Sequence, residues 1–161
     1  MEKFQEFREG ARKKIKVADH ILTQTYPLVK DPKLLIAVIE NIFLGMSYAM
    51  SSVLYHERLF KKIPPFNDNF SSKLSVFKQK CVERYGIESR YLFLLRDLKN
   101  IIVEHRKSPM EFVRNDKFVI CSDSYNLRTI NINDLRSYVS DAKVFIEEMG
   151  NITRADEDIF V

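Results

Sequence analysis

Cysteine and glycine are scarce in this chain, and so are the motifs built from them. Among 161 residues there are two cysteines, Cys81 and Cys121, and four glycines. The cysteines lie far apart, with no Cys-x-x-Cys and no His-x-x-x-His, which argues against zinc sites of the common types and against a disulfide framework. They read as free thiols of a reduced, cytoplasmic protein. A glycine-rich phosphate loop and a nucleophile elbow are also missing, so a common nucleotide hydrolase or serine hydrolase is not expected, and no cofactor or metal is called for. The opening segment MEKFQEFREGARKK has no apolar core and does not read as a secretory signal. There is no internal repeat and no low-complexity segment.

What is present is apolar and helical. The hydrophobic content of 45% is enough for a real core, in a chain of the usual size for one domain. With 26 basic and 22 acidic residues the net charge is +4, a mild excess that neither demands nor excludes a nucleic-acid partner. The chain is organised around Leu34 to Leu54, LLIAVIENIFLGMSYAMSSVL, which is apolar nearly all the way round and belongs in the middle of a bundle. Asp31 and Pro32 read as its N-cap and first helical residue. Glu40 and Asn41 interrupt the run, so it is not read as membrane-spanning. Glu40 should pair with a basic residue of the first or fourth helix, or take up a proton. Gly45, Ser47, Ala49, Ser51 and Ser52 leave room for a close helix, from this chain or from a second copy. So much apolar surface on one helix predicts a homodimer.

The first helix is expected over about Lys3 to Thr25, on the spacing of Phe4, Phe7, Ala11, Ile15, Ala18 and Leu22. Its other face carries Arg8, Arg12, Lys13 and Lys16, which read as solvated. Tyr26-Pro27 should end it, because the residue before a proline avoids helical angles. The central helix should run past Leu54 to Phe60, with His56 either a polar residue at its end or, near Tyr55, Glu57 and Arg58, the lining of a pocket there, and Pro64-Pro65 should stop it. A third helix follows over about Phe70 to Tyr85, facing Leu74, Phe77, Cys81 and Val82 inward, with Gly86 as a left-handed cap. The fourth spans Glu88 to Lys107, with a seam of Tyr91, Leu94, Leu98, Ile101 and His105. Ser108-Pro109-Met110-Glu111 reads as a capping box that opens a short helix.

The period then changes to alternation. Lys117–Cys121 and Leu127–Ile132 predict a β-hairpin around the turn Ser122 to Asn126. Phe118 and Ile120 should share a face with Ile130 and Ile132, packed on the last helix, while Val119 and Cys121 point away. Asn133 should cap that helix and Gly150 end it. The expected whole is mainly α: a bundle of about five helices in one domain, 1–150, with one hairpin before the last helix. Residues 151–161 read as a mobile acidic tail.

One stretch carries a functional signal: Leu95-Arg-Asp-Leu-Lys-Asn-Ile-Ile-Val-Glu-His-Arg106. It resembles the signature of the HEPN superfamily, small helical domains, commonly dimeric, found as ribonucleases, toxins of toxin–antitoxin pairs, and nucleotide- or RNA-binding modules. Their motif is an arginine, often followed by a polar residue such as asparagine, and a histidine four to six residues on. Here Lys99-Asn100 precedes His105, with five residues between Lys99 and His105. Lysine stands where the family has arginine, and a mobile point charge does not replace a planar bidentate fork. Arg96 lies one turn before Asn100 on the same face, but nine positions from His105 it is nearly opposite on a straight helix.

The resemblance implies a metal-free ribonuclease chemistry. His105 would be general base or acid at the ribose hydroxyl. Lys99 or Arg96 would steady the phosphate, Asn100 would orient it, and Arg106 would add a nucleic-acid contact. It also implies a homodimer that brings two motifs together, RNA or a nucleotide as ligand, and a nucleotidyltransferase as partner, with no membrane. With lysine in place of arginine, the expectation is a binding module that does not catalyse. The other reading is a structural or interaction bundle without ligand. The two differ in whether Arg96, Lys99, Asn100 and His105 converge in an open cleft.

Overall fold

The computed structural model describes residues 1–155. Helix α1 (Lys3–His20) leads through a π-helical turn, Ile21–Thr25, into α2 (Tyr26–Val29). Helix α3 (Pro32–Leu59) crosses the centre, followed by α4 (Phe70–Lys80), α5 (Val82–Tyr85) and α6 (Ser89–Lys107). Three antiparallel strands, β1 (Met110–Arg114), β2 (Lys117–Cys121) and β3 (Leu127–Asn131), precede α7 (Ile132–Arg154). The mainly α architecture agrees with the sequence reading, and five of the described helices have eleven residues or more.

Helix α3 is the spine. Leu35, Val38, Ile39, Ile42, Met46, Met50, Val53 and Leu54 are all fully buried, under cover of α1, α4, α6 and α7. By length and composition α3 could cross a bilayer, but its apolar residues are largely spent on contacts inside the domain. Those contacts also remove the physical motive for the expected dimer, because the chain covers its own central helix. The small residues serve the packing of α1. A Cβ on Gly45 would stand 3.3 Å from the Ala11 carbonyl oxygen and 3.5 Å from the Ile15 nitrogen, so the two backbones nearly touch there. Asp31 caps α3 as expected, accepting from the Lys33 N–H at 3.0 Å.

Several local expectations need correction. Pro27 does not end the first helix. Tyr26 keeps helical angles (φ −57°, ψ −43°) and its N–H reaches back to the Ile21 carbonyl. A π turn widens the helix by one residue, so the proline enters at the start of a fresh segment, where it lacks only a donor that would be unpaired. Arg8 is not left to solvent, since it donates to Thr153 of α7, whereas Arg12 stays exposed as expected, 3.8 Å from Glu147. The cap of α7 is Asn131, in a capping box with Asp134, rather than Asn133. Gly150 does not stop α7, which continues through Asn151 to Arg154, so that much of the expected tail is helical. The remainder of that tail, residues 156–161, lies outside the described residues.

The predicted short helix after Ser108 is a strand. Ser108 Oγ lies 2.7 Å from the carbonyl oxygens of both Met110 and Cys121, tying the end of α6 to β2 instead of capping a helix. Met110–Arg114 then pairs with β2 around the two-residue turn Asn115-Asp116, both at positive φ (52° and 60°). Those angles suit a primed hairpin turn, and Asn and Asp tolerate them best after glycine. The second hairpin is the expected one. Phe118 stands opposite Ile130, and both are buried in the core with Ile120 and Ile132. Val119 faces the other way, opposite Phe112 and Thr129.

Register also places Glu111, Ile120 and Arg128 in one row across the sheet. That row docks on the last turns of α6. Glu111 meets His105, and Arg128 meets Glu104 at 2.5 Å and Asp97 at 3.2 Å, with buried Ile120 between them. A small sheet is marginal alone, so this seam and the core face of β2 are what hold it.

Candidate functional site

The motif on α6 is split between two hollows. Arg96, Lys99 and Asn100 line an open groove between α4 and α6, together with Lys78, Gln79, Ser71, Ser75 and the ring of Phe70. Arg96 and Asn100 are one turn apart on α6, as the helical period requires, and both are exposed. Lys99 is half-buried, its Nζ 5.6 Å from the centre of the Phe43 ring and 5.9 Å from that of Phe70. Such a cation over two rings is held in place. None of the residues lining the groove is a carboxylate.

His105 sits elsewhere. It continues the seam of α6 but is only half-buried, and it lines a second hollow with Lys33, Ile36, Met110 and Glu111 at the start of α3. Its Nδ1 is 2.5 Å from Glu111 Oε1. A carboxylate in that position holds the ring in one orientation and favours the proton on Nδ1. Arg106, on the exposed side of the last turn, lines neither hollow. Within one chain, therefore, the histidine does not share a cleft with Lys99, Asn100 or Arg96. The physical reason is rotation: five or six residues along a helix turn the side chain well away from its starting direction, and the sheet then walls the His105 side off.

A polar cluster built on His56 and Glu57 lies at the far end of α3. Glu57 is fully buried. It accepts hydrogen bonds from Arg84 Nη1 and from the Tyr85 hydroxyl, both of α5. His56 is also buried, edge-on to Phe4 and tilted against Phe60, with Nδ1 3.8 Å from Glu57. Burial alone would push the Glu57 carboxyl up, but the adjacent His56 ring, the hydrogen bond from Tyr85 and the charges of Lys62 and Arg84 outweigh it and hold the pKa below the usual range. Burial, followed by the Glu57 charge, pushes the Cys81 thiol up to about 12. Tyr85 also rises to about 12, through burial and then its bond to Glu57.

None of these residues lines either hollow described above, and the chemistry of the cluster is that of a lock between α3 and α5. The carboxylate expected to be buried, Glu40, is instead half-exposed. The signal that was available for Glu57 is its spacing: it falls seven residues after Met50 and three after Leu54, on the buried stripe. The sequence reading passed over Lys73. Its ammonium is buried 2.7 Å from Asp68 and 3.2 Å from Ser51 Oγ, and faces the rings of Phe7 and Tyr55.

Compared with protein-family models, with curated proteins and with solved structures, the chain matches none. Among the described residues no group of three or more His, Cys, Asp or Glu side chains is placed to hold a metal ion.

Proposed function

We propose that the chain is a HEPN-like helical module that binds nucleic acid or a nucleotide through the α4–α6 groove, does not catalyse, and acts as a dimer. The observation that carries this reading is the makeup of the groove: Lys78, Arg96 and Lys99 beside Asn100, Gln79 and two serines, with no carboxylate lining it. Among the described residues none of the three cations is engaged in an ion pair, whereas Arg84, Arg90, Arg128 and Lys143 all are. Unpaired cations with neutral hydrogen-bonding neighbours suit phosphate oxygens, and the Phe70 ring next to Lys99 suits a stacked base of a single strand.

Catalysis is left out because His105 lines a different hollow. The dimer rests on the resemblance of the α6 stretch, since α3 is covered within the chain. A nucleotidyltransferase partner belongs to the same reading. The alternative, a bundle without ligand, draws support from the separation of His105 from Lys99 and Asn100.

The test is a filter-binding titration of a single-stranded RNA across a salt series. R96A and K78A should each weaken binding several-fold at low salt. Each should lower the slope of log affinity against log salt by about 0.7, the share of one phosphate contact on a single strand. Affinity and slope that stay at wild-type values in both variants would remove the groove as the binding surface.

A further inference from the structure

A third cavity, of about 490 Å³, opens between α2, the β1–β2 turn and the first turn of α7. It shares no lining residue with the α4–α6 groove or the His105 hollow. Its volume is in the range of small-molecule sites. Tyr26, Lys30, Asn115, Asp116, Asn133 and Arg136 bring polar atoms to it from three separate parts of the chain. The Ile132 N–H donates to the Asp116 carbonyl at 3.0 Å, which holds the turn against α7 and keeps the walls together.

Tyr26 is the decisive residue. It is 95% buried, leaving 5% exposure, it lines the cavity, and its hydroxyl has no hydrogen-bond partner among the described residues. The hydroxyl is the part of the side chain still open to the cavity, so water or a ligand entering there is the partner left to it. Burial, with the Asp116 charge second, raises its pKa, so it remains a neutral donor.

The charged side chains around it are exposed and free of one another. Lys30, Asp116 and Arg136 form no ion pair among the described residues, and the one bond that Arg136 makes is to neutral Asn133, at 2.8 Å. Two cations and one carboxylate facing one hollow leave a single positive charge to be matched. A simple anion would meet Lys30 and Arg136 but leave Asp116 facing it without a donor. A neutral polyol would satisfy Asp116 and leave both cations unmatched.

We propose that this cavity is a binding site for a small hydroxylated anion. Its carboxylate or phosphate would lie against Lys30 and Arg136. Its hydroxyls would donate to Asp116 and meet the Tyr26 hydroxyl and the Asn115 and Asn133 amides. Leu22 and Ile132 give an apolar wall for the carbon frame. The site is independent of the nucleic-acid reading and stands or falls apart from it.

The experiment is isothermal titration of the full chain with two probes that carry both ends, gluconate for a carboxylate and ribose 5-phosphate for a phosphate. Their one-ended counterparts are acetate with sorbitol, and inorganic phosphate with ribose. At least one two-ended probe should bind about ten-fold or more tightly than either of its parts, and which one does so identifies the anion. Y26F should weaken it several-fold, and R136M and D116N about ten-fold each. All three should melt close to the wild type and keep its RNA affinity. If D116N fails to fold, K30M makes the same comparison from the other side of the cavity. The proposal is overturned if neither probe saturates by about 10 mM, if the parts bind as well as the whole, or if Y26F and R136M bind like the wild type.

Discussion

The Nδ1 of His105 and the Oε1 of Glu111 lie 2.5 Å apart, joining the last turn of α6 to the first strand of the sheet. That pairing turns the one histidine of the α6 motif toward the sheet and away from the groove that holds Arg96, Lys99 and Asn100. It is a structural contact first, and its effects should be read on stability.

His105→Ala should therefore lower stability by about 1 kcal/mol, the worth of a hydrogen bond to a charged partner at a half-exposed site. It should leave RNA affinity at the wild-type value. A urea melt and a filter-binding titration on the same variant check this. A large loss of affinity with an unchanged melt would restore the histidine to the binding site.

Glu57 is the stronger lock. Glu57→Gln should destabilise the chain by about 2–3 kcal/mol at neutral pH, toward the low end for a broken buried pair because Arg84 is partly exposed. The pH dependence has a definite sign. The carboxyl titrates below the usual glutamate value of 4.5 in the folded chain, so its stabilisation is present above that pH and is lost as pH falls through the folded pKa. The gap between wild type and Glu57→Gln should narrow as urea melts are taken from pH 7 down past 4.5. A gap that stays constant or widens in acid contradicts this account.

Gly45 tests the close approach of α1 and α3. Gly45→Leu would drive a side chain into the Ala11 carbonyl and the Ile146 methyl, each already 3.3 Å from the position of a single Cβ. Overpacking of this kind should cost about 2 kcal/mol or more, a fall in Tm of roughly 4–8 °C. Gly45→Ala should fall between the two. A thermal melt in which Gly45→Leu matches the wild type would show that the helices are free to separate there.

The two thiols should behave differently. Cys81 is fully buried with its thiol pushed up to about 12, while Cys121 is partly exposed at the end of the central strand β2. Thiolate is the reactive form, so one thiol should react with Ellman's reagent at pH 8 in the folded protein and two in denaturant. Rapid reaction of both without denaturant would place Cys81 at the surface.

Sequence periodicity determined much of this protein. The spacing of apolar residues marks α1, α3, α6 and α7, because a helix declares its buried face relative to its own axis every three or four residues. Alternation marks β2 and β3 for the same local reason, and Asp31 and Gly86 mark helix ends because their backbone demands are local. What periodicity does not carry is the identity of the partner. Gly45 announced a close neighbour without saying that it is α1. Ser108 and Glu111 fit a capping box, yet longer-range pairing with β2 and His105 won, because a strand's hydrogen bonds lie in another segment. Glu57 could be read only as a neighbour of His56 near a helix end, since its cation lies on α5, twenty-seven residues further on. The motif on α6 was legible as a string of residue types, but whether its members meet depends on helix rotation and on where the sheet docks. Only the tertiary structure decided that Lys99 faces α4 while His105 faces β1.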